Sequence, residues 1–447
     1  MYNSLLLPDL RVMIDEQDET GMESFCEALH AAVIAEVLEG LEVNNVWRVL
    51  HCCDEERQAE IIGFLPLPFQ IELASSVDQE RLSKLIEAMA PDDRVDLLER
   101  LDDHQVEDML PLITQAERSD IRKLLSFPED SAGSIMTTEY ASLSEEATVR
   151  ESLDRLRQQA PDRETIYYVY VVDEGRRLRG FISLRDLILA KPDNSVGDIM
   201  ERDVISVRVD DDQEIVAQTL AKYDFIAIPV VDNQNQLVGI VTHDDALDVV
   251  QEEATEDAHR LAAVEPLEDS YLETPLLTLA WKRGIWLVLL LVAAFLTAYV
   301  LQQYEDVSAQ YRWMVLFIPL VLASGGNAGS QSATLVIRTL AIEQMSGRES
   351  VLIAKREFLL ALMLGGGMML LSTLWAVCFD NITPARAMVV GLTVFLVVIF
   401  GAFIGAMLPM AFRKLGMDPA LMSNPLVAAL VDVLGVIVYY NVALTLI

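Results

Sequence analysis

Met422-Ser423-Asn424-Pro425-Leu426-Val427-Ala428-Ala429-Leu430-Val431-Asp432-Val433-Leu434-Gly435 opens the last apolar run of the chain, and Asp432 is the only charged residue between Asp418 and Ile447. A carboxylate well inside a membrane span is costly unless it faces water, a partner or an ion, which makes it a functional candidate by default. With Asn424 as N-cap and Pro425 in the first turn, a spacing of four puts Asn424, Ala428 and Asp432 on one helix face. Asp432 then sits about 12 Å below the cap, inside the hydrocarbon layer. An interhelical hydrogen bond holding a bundle together is the other reading of the same residue.

Four further apolar stretches precede this one, so the candidate spans are 284–301, 313–341, 358–379, 387–411 and 425–447. Each meets the roughly 20-residue requirement of a membrane-crossing helix, and the second is too long for one straight helix. Its apolar run is interrupted by Ser324-Gly325-Gly326-Asn327-Ala328-Gly329-Ser330-Gln331-Ser332. Either the glycines free the backbone and present carbonyls to a cavity, or Gly325 and Gly329 let helices pack closely; the two are compatible. Lys282, Arg283, Arg338, Arg348, Lys355, Arg356, Arg413 and Lys414 fall on the side of the residues that precede the spans, and only Arg312 and Arg386 fall opposite. An excess of basic residues marks the cytoplasmic side, so the N-terminal half is expected in the cytoplasm and the C-terminus, after five spans, outside.

The formal charge of -36 over 447 residues is distributed unevenly. From Leu276 onward there are 10 basic against 8 acidic residues, which leaves 23 basic and 61 acidic, net -38, in the first 275. Such a polyanion argues against nucleic acid and anionic lipid as partners of that half, and for cations. Cys26, Cys52, Cys53 and Cys378 lack zinc-ligand spacing; His51-Cys52-Cys53 is expected inside a helix and the thiols reduced. The N-terminus has no basic region followed by an apolar core, so no signal peptide is expected.

Up to about Ser131 apolar positions recur at helical spacing in short units, at 50–65, 76–89, 91–101, 105–113 and 118–125, which points to a small helical superhelix without a fixed period. From Gly133 a true repeat appears. Gly133-Ser134-Ile135-Met136 is answered by Gly197-Asp198-Ile199-Met200, Val171-Val172-Asp173 by Val230-Val231-Asp232, and Gly180-Phe181-Ile182-Ser183-Leu184-Arg185-Asp186 by Gly239-Ile240-Val241-Thr242-His243-Asp244-Asp245. The periodicities give two copies of a strand, helix, strand, strand, helix unit. This resembles a tandem pair of CBS domains, regulatory modules that often bind adenine nucleotides between their halves. The resemblance implies that Ser183 with Asp186, and Thr242 with Asp245, hold a ribose, although helix caps at these positions would look the same. An acidic helix over about 244–268 then connects to the first span.

A helical acidic domain, a CBS pair, an acidic connecting helix and five spans in that order resemble the MgtE family of magnesium channels and transporters. The most specific matches are Gly325-Gly326-Asn327-Ala328-Gly329-Ser330-Gln331 and the run from Asp418-Pro419-Ala420 through Asn424-Pro425 to Asp432-Val433-Leu434-Gly435; Ser131-Ala132-Gly133-Ser134-Ile135-Met136 and Lys222-Tyr223-Asp224 also match. The fold class is thus a multi-domain membrane protein: an α-helical N-terminal superhelix (1–131), an α/β tandem CBS pair (132–195 and 196–250), a connecting helix (251–275) and a five-helix all-α transmembrane domain (276–447).

The resemblance implies a homodimer in the inner membrane, a divalent-cation pore on its two-fold axis with Asp432 of each subunit facing its mate, and no enzymatic activity. Two carboxylates across a symmetry axis repel unless a dication sits between them. Asn424, Ala428, Asn327, Gly325 and Gly329 complete the implied pore set. The family further implies gating by cytosolic Mg2+, with Asp92, Asp93, Asp96, Asp212, Glu214, Asp224, Asp245, Asp248, Glu253, Glu256, Asp257 and Asp418 as the metal-bridged acids, and ATP as a ligand of the CBS pair. A carrier coupled to Na+ or H+ is the alternative, since a lone membrane carboxylate also relays protons. An intramembrane aspartyl enzyme needs two catalytic carboxylates per site, and only Asp432 lies deep in a span.

Overall fold

The computed structural model describes residues 3–160, 164–267, 271–272, 274–342, 347–380 and 382–446. They form two compact units, 1–250 and 251–447.

The first unit opens with α1 (Asn3–Glu16), α2 (Glu19–Ala28), α3 (Ala31–Leu38), α4 (Val43–Leu50), α5 (Glu55–Gly63), α6 (Leu67–Ser75), α7 (Gln79–Ala88), α8 (Pro91–Arg100), α9 (Asp103–Met109) and α10 (Gln115–Leu124). From α2 onward the helices start at 19, 31, 43, 55, 67, 79, 91, 103 and 115, a period of 12 residues per helix and 24 per pair. Odd helices stack on odd ones (α3 on α5, α5 on α7) and even on even (α4 on α6, α6 on α8), as in a solenoid. Ile34, Leu38, Leu50, Ile61, Ile62, Leu73, Ile86 and Leu97 run through one continuous core. The period was hidden because the residue before each helix varies: Asp18, His30, Asp54, Asp78 and Thr114 accept a backbone N–H there, while Glu42, Pro66 and Ala90 do not. Contrary to expectation, His51-Cys52-Cys53 is not helical but forms the turn after α4, and 50–65 divides between the end of α4 and α5.

Next come β1 (Tyr140–Ser144), α11 (Val149–Gln159), β2 (Thr165–Val172), β3 (Leu178–Ser183) and α12 (Leu184–Leu189), then the short α13 (Val196–Ile199), and β4 (Val207–Arg208), α14 (Gln213–Tyr223), β5 (Ala227–Val231), β6 (Leu237–Thr242) and α15 (His243–Leu261). Each copy makes a three-stranded sheet whose first strand is parallel to the second and whose second is antiparallel to the third. The copies brace each other through the segments that lead into them, with Thr137 bridging Ile240 and Glu201 bridging Phe181. A Cβ on Gly180 would lie 2.7 Å from the Glu201 carbonyl oxygen, and one on Gly239 would lie 2.8 Å from that of Thr137. The repeated glycines are therefore demanded by close backbone approach, with Met200 and Met136 packed on them.

In the second unit the end of α15 is followed by α16 (Leu276–Gln303), α17 (Glu305–Gln310), α18 (Trp313–Ile342), α19 (Gly347–Val377), α20 (Pro384–Lys414), a 3-10 turn (Pro419–Leu421) and α21 (Asn424–Leu446). Among the described residues, five helices are long and apolar enough to cross a membrane: Leu276–Gln303, Trp313–Leu340, Arg348–Val377, Pro384–Lys414 and Asn424–Leu446. α20 is the hub, packed by α18, α19 and α21. Its most apolar window is 56% buried against 6% for α16, so α16 meets lipid or another chain on most of its surface.

Two expectations are corrected here. The run 324–332 does not break the second span, because α18 is one continuous helix; its glycines serve packing instead. A Cβ on Gly401 would stand 2.4 Å from the Gly325 carbonyl oxygen, and one on Gly405 would stand 2.1 Å from that of Gly329. Gly325 and Gly329 thus face Gly401 and Gly405 turn for turn, and the backbones touch. The acidic connecting helix ends at Leu261 rather than near 268; Glu268 lies outside the described residues.

A candidate ion pathway and clustered carboxylates

α21 begins at Asn424 itself, so Ser423, not Asn424, takes the cap position. Asn424 is held by α18 instead: its side-chain oxygen accepts from Thr334 Oγ1 at 3.2 Å and its carbonyl from Ser330 Oγ at 3.2 Å. Two turns on, Asp432 is half-buried and makes no hydrogen bond or ion pair with any described residue. A Cβ added to Gly326 would lie 3.3 Å from the Ala428 Cβ and 3.9 Å from Asp432 Oδ1, so Gly326 leaves room beside the carboxylate. Gly325 and Gly329 are buried against Val397, Val427 and Val431, one step round the helix. Asn327 is exposed, and Ala428 and Asn424 half-buried. The polar face of α21 therefore lies at the surface of the single-chain bundle rather than along its centre. Gly326 was not distinguished by sequence reading, because three glycines in five residues give no clue to which turns toward α21.

In the first unit, α8 presents Asp92 and Asp93 to the start of α15. Burial, and then the carboxylates of Asp245, Asp93 and Glu164, push Asp92 well above the usual range, and its Oδ1 is buried without a hydrogen-bond partner. Burial followed by Asp245, Asp248 and Asp244 raises Asp93 to about 6; burial followed by Asp245, Asp244, Glu139 and Asp93 raises Glu164 to about 7. Asp245 and Asp248 are raised too, by burial first. Glu164 was missed by spacing arguments, since only the fold brings the residue before β2 near Asp92 and Asp93 of α8, and Asp244 was not singled out from its neighbour Asp245. Asp96, one turn along α8, is exposed. Asp212, Glu214 and Asp224 are not gathered as one group. Asp212 caps α14 by accepting from the Glu214 N–H at 2.9 Å, Glu214 accepts from Gln218, and Asp224 ends the same 11-residue helix with φ 53°. The two ends of α14 stand about 16 Å apart.

In the second unit, Glu253, Glu256 and Asp257 occupy the last turns of α15. Burial and then Asp418 raise Asp257. Arg260, on the same helix, ion-pairs with both Glu256 and Asp418.

Both proposed ribose positions are closed as helix caps. Ser183 Oγ donates to Asp186 Oδ2 at 2.6 Å and accepts from the Asp186 N–H at 3.1 Å. Thr242 Oγ1 donates to Asp245, which also accepts from the Thr242 N–H at 3.3 Å. A shallow, half-open aromatic cleft lies between the two copies, walled by Tyr168, Tyr170, Phe181, Ile205, Phe225 and Pro229.

Residues 29–130 match the family model of the MgtE intracellular N domain, 132–193 and 196–252 the CBS domain, and 318–442 the divalent cation transporter region of MgtE. The magnesium transporter MgtE of Thermus thermophilus is 39% identical over 452 residues, 98% of each chain. The chain belongs to the MgtE family. The magnesium transporter MgtE of Bacillus subtilis is 33% identical, with 97% of this chain and 93% of that one covered. Among solved structures, the soluble part of a magnesium transporter matches with a TM-score of 0.54 at 35% identity, over 56% of this chain and 99% of that one. The cytosolic domain of the Mg2+ channel MgtE in complex with ATP gives 0.52 at 38%, over 55% of this chain and all of that one. Family membership and five apolar helices make the chain an integral membrane protein.

Proposed function

We propose that the chain is a Mg2+ channel that works as a homodimer, imports the ion across the inner membrane, and is closed by cytosolic Mg2+. The observation that carries the reading is Asp432: a partnerless, half-buried carboxylate on the outer face of the bundle, beside the space left by Gly326. A second copy facing it supplies the matching carboxylate, and a dication between them removes their repulsion. Mg2+ sheds its waters reluctantly, so a wide site built from Asp432, the small Ala428 and the amide of Asn424 suits the hydrated ion. Asn327, exposed on α18, lines the same pathway; Gly325 and Gly329 set its width by holding α18 on α20.

Gating follows from the acids. Within the first unit Asp92, Asp93, Asp96, Asp245 and Asp248, and within the second Glu253, Glu256, Asp257 and Asp418, repel until divalent ions bind the closed arrangement preferentially and shift the population; Asp212 and Glu214 at one end of α14 and Asp224 at the other are separate regulatory acids. An adenine nucleotide is the ligand expected of the CBS pair, its base against Tyr168, Phe181 and Phe225 and its ribose at Ser183 and Asp186 once their mutual hydrogen bond opens, while Asp245 is engaged with the acids. The basic residues flanking the spans support a cytoplasmic first unit and an external C-terminus.

The test is transport itself. Purified protein in liposomes loaded with a Mg2+-sensitive dye should give influx that grows with inside-negative potential and does not change with a pH or Na+ gradient. Influx that requires such a gradient makes the protein a coupled carrier, and absence of influx removes the transport reading.

A further inference from the structure

The acidic end of α15 carries its own cation. Arg260 lies one turn after Glu256 and ion-pairs with it, and its guanidinium also reaches Asp418, 158 residues further along the chain. Asp418 is fixed where α20 hands over to α21: its Oδ1 accepts the Ala420 N–H at 2.7 Å and caps the 3-10 turn, while Oδ2 takes the guanidinium. The residues around this contact hold it in place. Leu261 packs against the membrane core, Lys282 donates to the Pro266 carbonyl at 2.5 Å, and Trp286 Nε1 donates to Glu265 at 3.4 Å. Isolated ion pairs at a surface contribute little. Here one guanidinium serves two carboxylates, the three side chains are only 30–33% exposed, and a third acid, Asp257, stands close enough to Asp418 to feel its charge.

We propose that Arg260 is the resident counter-cation of the gate, holding the membrane end of α15 on Asp418 when no divalent ion is bound and competing with divalent ions for Asp418 and Glu256 when they are. This deepens the Mg2+-gating reading and rests on it for its consequence to transport. Without the guanidinium, Glu256, Asp257 and Asp418 repel one another over distances comparable with a Debye length, about 8 Å at physiological salt, with only the Arg338 charge that also acts on Asp257 left to oppose it. Two effects of opposite sign follow. In chelator, the contact between α15 and the entry to α21 comes apart. In Mg2+, the site binds the ion more tightly, because a positive competitor is gone and the net charge is one unit more negative.

Hydrogen exchange of the full-length protein in detergent reads both effects without any transport. In EDTA, amides over 256–264 should exchange about tenfold faster in Arg260→Gln than in the wild type, while those of α20 stay unchanged, and Arg260→Lys should keep the wild-type protection. Mg2+ should restore protection in Arg260→Gln at a lower concentration than any Mg2+ effect on the wild type. Unchanged exchange of Arg260→Gln in EDTA overturns the proposal. If Arg260→Gln loses protection in α20 as well, its fold is lost and Arg260→Lys decides: wild-type protection in EDTA supports a charge-based latch, and lost protection refutes it. Since flux is not measured, failure of transport in liposomes strikes the proposed function alone.

Discussion

In the first unit, Asp92, Asp93, Glu164 and Asp245 are packed together, and none is ion-paired among the described residues. In the second, Glu256 and Asp418 share Arg260, while Asp432 has neither cation nor hydrogen-bond donor. One chain thus leaves its acids in three conditions: crowded with other acids, neutralised from within, and solitary. The difference teaches where an external cation must come from solution. Crowded acids bind one at the expense of their protons. The acids around Arg260 bind one only against a resident competitor. A solitary acid in a membrane span binds one well only when a second copy doubles the charge, and such a site can release its ion.

The largest effect tests the solitary acid. Asp432→Asn keeps the shape and removes the charge, so Mg2+ flux in liposomes should be abolished while the protein's thermal stability and oligomeric state stay as in the wild type. Retention of most of the flux breaks the distinction between Asp432 and an ordinary packing residue. Next in size is the support behind it. Gly405→Val places a branched side chain where a Cβ alone would come within 2.1 Å of the Gly329 carbonyl oxygen, so α18 and α20 are forced apart. Overpacking of this kind costs about 1–3 kcal/mol or more, which thermal melting in detergent should report as a clear loss. Gly366→Val, where a Cβ meets nothing within 4 Å, is the matched control and should melt as the wild type.

The spans were legible because bilayer thickness imposes a length and an apolar composition that no other constraint imitates. The CBS pair was legible because its glycines and methionines are demanded twice by the same close approach, so the repeat persists in the letters. The continuity of α18 was not: Gly325, Gly326 and Gly329 argue against a helix by propensity, and only the facing Gly401 and Gly405 show that packing overrides it. Arg260 escaped for a related reason. Read along α15 it is a lone base in an acidic helix, and its meaning depends on a residue 158 positions away. The Glu164 carboxylate is likewise defined by α8, not by the strand it precedes.

The smallest effect sharpens the crowded case, and its sign follows from protons. Asp93 is raised to about 6 and Glu164 to about 7, with burial the first cause of each. An acid whose pKa rises on packing is more stable there protonated, so the packed arrangement gains stability as pH falls through about 7 and 6 toward the ordinary carboxylate range, and loses it as pH rises through the same window. Mg2+ acts on the ionised acids and must therefore stabilise most at the alkaline end. Residues 1–250 in chelator should melt higher at pH 5.5 than at pH 8. The gain is on the order of 1 kcal/mol, reduced from the full shift because Asp93 and Glu164, although desolvated on the side that faces the other acids, both keep surface exposed to solvent, or about 2 °C for a unit of this size. Millimolar Mg2+ should raise the melting temperature at pH 8 and do little at pH 5.5. In Asp93→Asn the metal-free melting temperature at pH 8 should rise, because one like charge is gone, while the increment from Mg2+ shrinks. A Mg2+ increment that is equal at both pH values would mean that these carboxylates do not exchange protons for metal, and that the crowded acids of the first unit are solvated surface rather than a sensor.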